Sequence, residues 1–381
     1  TMKIIIIGTA HPYRGGLATF NERLASEYVK EGKEVEIYTF TLQYPSFLFP
    51  GKTQFTKDPT PDNLTIFRKI NSINPFNWRS IGKEIEKKNP DIVMFCYWMS
   101  FMAPCFGNLA AYIRKNKKTK CIALVHNMIP HEPTFLDNIL PPYFVNKMDA
   151  FISLSESVIS DIDIFDKHHK PKTFSPHPIY DHYGEKISRE SALQTLGLSN
   201  EYRYLLFFGF IRPYKGLDIL LDAFADKRLR AFNTKLIVAG EFYEDENLYL
   251  EKIKKLHLEP LVELHTNFIP NSLVNAYFSA CDIITQPYKT ATQSGVTQIG
   301  FHFEKAMLVT KVGGLAEIVP HGIIGYAVAP DAKEIADALV DFYENQRQQN
   351  FEANVIKEKD KYSWDKLTTK IQSLYEKITL K

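Results

Sequence analysis

Short apolar runs alternate with amphipathic helical patterns along most of this chain of 381 residues. In the first half, predicted strands run from residues 3–8 to residues 150–154, and a helix is predicted over 16–30. A second alternating series begins with a strand at 204–208. Strands separated by helices favour parallel β-α-β units. Because the chain exceeds the size at which one core stops growing, we predict an α/β protein with two Rossmann-like, doubly wound domains.

The alternation lapses between residues 173 and 189, where proline, histidine, aspartate and glycine are typical of a linker. We therefore predict an N-terminal domain over residues 1–180 and a C-terminal domain over residues 190–360. An amphipathic segment at 361–381 is expected to form a helix that packs back on the N-terminal domain. Ligand is expected in the cleft between the carboxyl edges of the two sheets.

Composition excludes several classes of protein. The net charge of +2 gives no case for nucleic acid as a partner. The first apolar run is too short for a signal peptide. The uncharged stretch 92–113 has the length of a membrane span, but Pro104, Gly107 and Asn108 favour strand, loop and helix.

The four cysteines form no C-x-x-C pair and indicate free thiols in a reducing cytosol. The expected location is the cytoplasm, with a peripheral position on the inner face of the cell membrane as an alternative.

The turn 208–216 carries two cations, Arg212 and Lys215, between Gly209 and Gly216. A predicted strand precedes this turn and a predicted helix follows it. Ligands of open α/β sheets bind at this edge, where a helix start also offers free N–H groups. The spacing of the two cations suits a diphosphate. The alternative is two solvated cations on a loop.

Further motifs stand at the ends of other predicted strands. In chain order the set is Gly15-Gly16, His126, Gly209-x-x-Arg212-x-x-Lys215-Gly216, Val238-Ala239-Gly240-Glu241 and Val312-Gly313-Gly314-Leu315-Ala316-Glu317. Together they resemble family 4 of the retaining glycosyltransferases, which have the GT-B fold. The resemblance implies transfer of a sugar from a nucleotide diphosphate sugar, with retention at the anomeric carbon.

The resemblance also implies roles for individual residues. Arg212 and Lys215 would hold the diphosphate, and main-chain N–H groups of Gly15 and Gly16 would approach the same phosphates. His126 would lie beside the donor sugar, although a lone histidine at a strand end can be structural. The implied catalytic residues are His126, Arg212 and Lys215. The implied donor-binding residues are Gly15, Gly16, Gly209, Arg212, Lys215 and Glu241. Thr292, Gln293, Ser294, Gly295 and Val296 are added to this predicted set as a replacement turn, because the chain departs from the family there.

The chain departs from the family at the usual Glu-x7-Glu motif, where Thr292 and Gly300 occupy the two glutamate positions. Since those glutamates contact the donor sugar and ribose, their loss leaves the sugar and nucleotide open. We interpret Thr-Gln-Ser-Gly at 292–295 as a replacement donor-binding turn, because the start of a helix supplies N–H groups there. The alternative is a decayed, inactive site.

No metal or organic cofactor is expected; the nucleotide diphosphate sugar is a co-substrate. Asp161 and Asp163 form a D-x-D pattern, but residues i and i+2 of a predicted helix do not share a face. A metal pair from His126 and His131 is disfavoured by the intervening Pro130. The sequence shows no carboxylate pair of the glycosidase kind, and the departing phosphate could deprotonate the acceptor.

The kind of acceptor is predicted from one residue pattern in the N-terminal half. Aromatic residues are interleaved with cations over 44–50 and 68–79, and Lys83, Lys87 and Lys88 follow. This composition suits a membrane surface or a lipid-linked acceptor; ordinary protein surface is the alternative. We expect a role in cell-surface polysaccharide or glycoconjugate synthesis. A nucleotide-sugar epimerase of the same fold and a non-catalytic nucleotide-sugar-binding protein remain alternatives. An oxidoreductase is disfavoured because the first strand is not followed by G-x-G-x-x-G.

Overall fold

The computed structural model describes residues 1–45, 55–56, 59–129, 134–291 and 294–380. They form two compact units. The first comprises Thr1–His177 with Ser363–Lys381, and the second comprises Pro178–Tyr362. Each unit holds one parallel sheet with helices, so the predicted α/β class with two Rossmann-like sheets is confirmed.

The sheet of the first unit has seven strands in its described part, in the order β3-β2-β1-β4-β5-β6-β7. All neighbouring strands pair in parallel. The strands are β1 Lys3–Ile7, β2 Glu34–Leu42, β3 Thr65–Asn71, β4 Ile92–Tyr97, β5 Lys120–Val125, β6 Ala150–Ser153 and β7 Lys172–Phe174. The strand order reverses between β1 and β4, which is the switch point where ligands of such sheets bind.

The helices of this unit are α1 Gly16–Lys30, α2 Pro75–Lys88, α3 Ala103–Ile113, α4 Leu136–Ile139, α5 Pro141–Lys147, α6 Glu156–Phe165 and α15 Trp364–Thr379. Helix α1 buries Phe20, Leu24 and Tyr28 on one face, as its periodicity predicts. Helix α15 packs on α1, where the Trp364 ring lies 5.1 Å from that of Phe20.

The sheet of the second unit has six strands in its described part, in the order β10-β9-β8-β11-β12-β13, again all parallel. The strands are β8 Arg203–Phe208, β9 Thr234–Ala239, β10 Val262–His265, β11 Ile283–Gln286, β12 Ala306–Thr310 and β13 Gly325–Val328. The helices are α7 Arg189–Leu196, α8 Leu217–Phe224, α9 Asn247–Lys255, α10 Asn271–Ala280, α11 Gly295–His302, α12 Leu315–Ile318, α13 Ala332–Glu344 and α14 Gln348–Lys359. In this sheet the strand order reverses between β8 and β11, which is its switch point.

The same hydrogen bond between an aspartate carboxylate and a backbone N–H group occurs in both sheets. Asp91, Asp149 and Asp282 each stand just before a strand, and their carboxylates accept hydrogen bonds from the backbone N–H groups of Lys3, Cys121 and Tyr204 at 2.8–2.9 Å. Each bond ties the start of one strand to the start of its neighbour, so it sets the parallel register at the amino edge of the sheet.

The uncharged stretch 92–113 forms β4, a 3₁₀ turn at Ser100–Met102 and α3, which confirms the predicted strand, loop and helix. Within the described ranges, no helix combines the length and the apolar character needed to cross a bilayer. The sequence prediction missed the strands β7 and β13 and the helices α4, α5, α7, α12 and α14. Strand β7 also enters the stretch that we interpreted as a linker.

Candidate active site

In the first unit, the loop after β1 leads to Gly15 and Gly16 at the start of α1. Gly15 has a φ of 111°, which side chains rarely adopt, and it caps the helix without a side-chain hydrogen bond. A Cβ atom added to either glycine would meet no atom within 4 Å. The backbone at this helix start is therefore open to a ligand.

His126 follows β5 directly, and its backbone N–H donates to the carbonyl oxygen of Tyr97 at 2.8 Å. The imidazole is edge-on to Phe20, with ring centres 4.9 Å apart. Its Nε2 atom is buried and has no hydrogen-bond partner among the described residues. Burial and the nearby His177 lower the pKa of His126 to about 3, so the ring is neutral near pH 7. Buried polar atoms are rarely left without a partner, so this nitrogen is an unsatisfied position beside the end of β5.

In the second unit, two glycines shape the turn after β8. Gly209 has a φ of 104°, and a Cβ atom there would lie 2.9 Å from Lys215 Nζ. Gly216 has a φ of 71°, and a Cβ atom there would overlap the carbonyl oxygen of Pro287. Only glycine satisfies both requirements. The turn therefore holds the Lys215 ammonium directly over the main chain of Gly209.

Arg212 and Lys215 are both unpaired, since neither lies within 4.0 Å of a carboxylate in the described parts of the chain. The Arg212 guanidinium is exposed and lies 4.8 Å from the centre of the Tyr243 ring. The Lys215 ammonium is half-buried, 5.7 Å from the centre of the Tyr288 ring. Burial and the adjacent Arg212 lower the pKa of Lys215 to about 8. Two uncompensated cations of this kind favour a multiply charged anion.

The start of α11 lies beside this turn. Val296 Cγ2 would be 4.0 Å from a Cβ atom on Gly209. Ser294 is buried, with its hydroxyl 3.2 Å from that of Tyr288, and Gly295 packs closely against the ring of Tyr180. Thr292 and Gln293 lie outside the described residues. Tyr288 therefore connects the start of α11 with Lys215.

Glu241 also belongs to this cluster through its backbone. Its carbonyl oxygen accepts the N–H of Ile211 at 2.9 Å. The preceding Gly240 lies so close to Gly209 that a Cβ atom would overlap the Gly209 carbonyl. Of the predicted donor-binding residues in this unit, Gly209, Arg212, Lys215, Glu241, Ser294, Gly295 and Val296 come together at the carboxyl edge.

Gly300, at the second position of the absent glutamate pair, is enclosed by packing. A Cβ atom there would lie 2.7 Å from Met307 Sδ and 2.9 Å from Ile284 Cδ1. A glutamate at this position would displace Met307 or Ile284 from the core, so the packing around Gly300 disfavours the second glutamate of the family motif.

Sequence reasoning missed polar residues around β11. Gln286 ends that strand and is 1% exposed; its Oε1 accepts from Thr297 Oγ1 at 3.1 Å, while its Nε2 has no partner among the described residues. Gln298 Oε1 on α11 is likewise buried without a partner there. A glutamine ending an apolar strand is the signal that could have indicated this position. The sequence also contained no sign that Tyr243 and Tyr288 would lie against the two cations.

Comparisons with known sequences match glycosyltransferase families in both halves of the chain. A family profile described as "Glycosyltransferase Family 4" matches residues 14–166, and one described as "Glycosyl transferases group 1" matches residues 202–345. An uncharacterized glycosyltransferase of Methanocaldococcus jannaschii is 25% identical over 389 residues, covering 99% of each chain. A lipopolysaccharide 1,2-N-acetylglucosaminetransferase of Salmonella typhimurium is 27% identical over 197 residues, covering 48% of this chain and 51% of that protein.

Solved structures share the fold over the whole chain. A glycosyltransferase from Rickettsia africae matches with a TM-score of 0.73 at 16% identity, covering 99% of this chain and 98% of that one. Anabaena HepE in complex with UDP matches with a TM-score of 0.69 at 15% identity, covering 99% and 100%. The fold and the two profile matches define a glycosyltransferase of the GT-B class. Within that class, the chain belongs to glycosyltransferase family 4.

Proposed function

We propose that this enzyme transfers a sugar from a nucleotide diphosphate sugar to a glycan or glycolipid, with retention at the anomeric carbon, in cell-surface polysaccharide or glycoconjugate synthesis. One observation carries the proposal: Arg212 and Lys215 are unpaired cations on a glycine-bounded turn at the switch point of the second sheet. The solved complex of Anabaena HepE with UDP supports a nucleotide donor.

The proposed mechanism depends on the group at which negative charge develops during sugar transfer. The bond between the anomeric carbon and the phosphate oxygen breaks, and negative charge grows on the departing diphosphate. Arg212 and Lys215 stabilise that charge more in the transition state than in the bound donor, which accelerates the step. The acceptor hydroxyl bonds to the same face of the anomeric carbon, and its proton passes to the departing phosphate. His126, being neutral, holds a sugar hydroxyl by a hydrogen bond.

The reaction is proposed to need no divalent metal and no organic cofactor, because the two cations already face the diphosphate. We expect the enzyme to release nucleoside diphosphate from its donor at the same rate with and without excess EDTA. The measurement is coupled detection of nucleoside diphosphate across a panel of nucleotide sugars, with a membrane extract as the source of acceptors. Proton NMR of the first-formed product should show the anomeric configuration of the donor.

Each alternative predicts a different result in that assay. An epimerase would alter the sugar without any acceptor, and a non-catalytic binding protein would bind the donor without releasing diphosphate. A loss of activity in EDTA that magnesium or manganese restores would contradict the metal-independent mechanism.

The pKa of Lys215, about 8, predicts a pH dependence of donor binding. Below that pH, Lys215 is a cation and binds the diphosphate; above it, binding must first add a proton. Affinity for the nucleoside diphosphate should therefore be flat near pH 7 and fall by up to about tenfold per pH unit above pH 8. The diphosphate group is almost fully ionised over this range. Calorimetry from pH 7 to 10 measures the effect.

Lys215→Arg is the control for this pH dependence, because its guanidinium stays charged throughout that range. The variant should bind with a flat profile from pH 7 to 10. An unchanged decline in the variant would assign the titration to another group.

Part of the aromatic and basic surface predicted for the acceptor lies on one face of α2, while its residues 46–50 lie outside the described residues. Phe76, Arg79, Lys83 and Lys87 are exposed at spacings of three or four residues, and Phe76 is 85% exposed. None of the three cations forms an ion pair with a described residue. Two other lysines of the predicted basic surface form ion pairs within the protein: Lys69 pairs with Glu84, and Lys88 pairs with Glu36. We propose that the α2 face contacts anionic lipid at the cytoplasmic face of the membrane, where a lipid-linked acceptor is presented.

We expect the protein to co-sediment with vesicles containing anionic phospholipid at low salt. The double variant Lys83→Glu/Lys87→Glu should reduce the bound fraction several-fold, since each basic residue contributes about 1 kcal/mol near such a surface. Salt should weaken wild-type binding by screening. Lys254→Glu/Lys255→Glu, on exposed positions of α9, is the charge-matched control and should bind as the wild type does. Equal loss in both double variants would show that net charge, and not the α2 face, governs binding.

A further inference from the structure

A cavity of about 700 Å³ opens at the amino edge of the second sheet. Arg203, the first residue of β8, and Asp282, just before β11, both line it, together with Arg189 of α7. Because all strands of this sheet are parallel, the amino edge lies at the opposite strand ends from the Gly209 turn. The volume is within the range of about 300–1,000 Å³ of small-molecule sites. This cavity is therefore a candidate site separate from the donor turn.

A carboxylate oxygen with unused acceptor capacity lines the cavity. Asp282 is 4% exposed, and its Oδ2 accepts from Tyr204 N–H at 2.9 Å and from the Tyr343 hydroxyl at 3.4 Å. The nearest cation to Oδ1 is Arg189 Nε, at 3.8 Å, which is beyond hydrogen-bond distance. No other described donor reaches this oxygen. This oxygen, on a residue that is largely buried, can therefore accept a hydrogen bond from a ligand.

Other polar groups of the lining are also without protein partners in the described chain. The Arg203 guanidinium forms no ion pair and lies 5.7 Å from the centre of the Tyr343 ring. The side-chain amides of Gln346 and Gln349 form no hydrogen bond with a described residue. Gln346 has a φ of 50° between α13 and α14. Arg189, by contrast, is held by Asn200 Oδ1 and the Tyr202 carbonyl, both at 2.6 Å.

These groups select for a particular ligand chemistry. The two arginines face Glu201, Asp282 and Glu352, so opposite charges are mixed and neither an anion nor a cation is favoured. The lining combines guanidinium and amide donors with carboxylate and amide acceptors, and the half-buried ring of Tyr202 adds an apolar face. A neutral molecule with many neighbouring hydroxyl groups matches this lining, whereas an apolar molecule would leave its polar groups unpaired.

We propose that this cavity binds a segment of a neutral oligosaccharide, as a glycan-binding site separate from the donor site. Binding involves hydroxyl donation to Asp282 Oδ1 and acceptance from Arg203 and from the amides of Gln346 and Gln349. The inference of a glycan site rests on the cavity alone; only its use in holding an acceptor or product chain rests on the proposed function.

The test is calorimetry on the full chain with two neutral probes, maltoheptaose and the hexasaccharide of β-1,4-linked N-acetylglucosamine. At least one should bind, with an affinity that saturating UDP leaves unchanged. Arg203→Ala and Gln346→Gly/Gln349→Ala should each weaken binding at least about tenfold, the loss expected for removed hydrogen bonds. Glycine accepts the backbone conformation at 346, so the double variant avoids strain. Gln194→Ala, an exposed position of α7 outside the lining, is the control and should bind as the wild type does.

Every outcome decides the matter. Failure of both probes to bind the wild type overturns the proposal, as does unchanged binding in both cavity variants. Because a variant could misfold, the thermal midpoint of each is measured first, and the two variants alter different parts of the wall. Arg212→Ala/Lys215→Ala should keep glycan binding while losing binding of the nucleoside diphosphate identified in the donor panel, so failure of the donor assignment and failure of this site give different results.

Discussion

Alanine at Arg212 or at Lys215 should lower kcat/KM for the nucleotide sugar by at least about tenfold. A hydrogen bond to a charged group is worth about 1.5–3 kcal/mol, and neither cation is neutralised by a carboxylate among the described residues. Charge builds on the phosphates as the bond breaks, so the loss should affect kcat as well as donor affinity. Steady-state kinetics on the donor identified in the panel provides the measurement.

Calorimetry with the nucleoside diphosphate and with the bare nucleoside tests whether Arg212 and Lys215 bind the diphosphate. Both alanine variants should weaken binding of the nucleoside diphosphate far more than binding of the bare nucleoside. Lys289→Ala is the matched control, because Lys289 is a nearby lysine that already pairs with Asp218 at 2.8 Å, and it should change either affinity little. Equal losses for nucleoside and nucleoside diphosphate would falsify the assignment of Arg212 and Lys215.

Replacing His126 by alanine should reduce turnover by at least about tenfold in a protein that remains folded. The imidazole Nε2 is buried without a described partner, which is the arrangement expected of a group that completes its hydrogen bonding with substrate. Polar and acid–base roles of this kind contribute roughly 10²- to 10⁴-fold. His168→Ala, on an exposed position of the same unit, is the control, and circular dichroism with a thermal midpoint checks the fold.

The pH profile separates a neutral hydrogen-bonding role from a titrating one. With a pKa of about 3, His126 does not change charge between about pH 5 and 9. His126→Ala should therefore lower the whole kcat profile without changing its shape. If the wild type shows an acidic limb near pH 6.5 that the variant lacks, His126 acts as a titrating acid or base. Unchanged turnover in the folded variant would make His126 a structural residue.

Periodicity and residue chemistry within short windows determined much of the fold. The bounds of α1 coincide with those predicted, because its apolar stripe marks the helix before any contact is made. The predicted site positions followed from the predicted strands, since residues just after parallel strands share one edge. Elements with a weak pattern were missed: β7 has only three half-buried residues, and β13 begins at a glycine.

The tertiary structure alone decided the chemical state of the site. Lys215 has no carboxylate within 4.0 Å among the described residues and has a lowered pKa, His126 is held neutral, and Gly300 is tightly packed by Met307 and Ile284. The cavity around Asp282 likewise joins residues from α7, β8 and α14. The sequence identified which residues stand at strand ends, because that depends on local periodicity. Burial, hydrogen-bond partners and free space depend on residues far along the chain, so only folding could determine them.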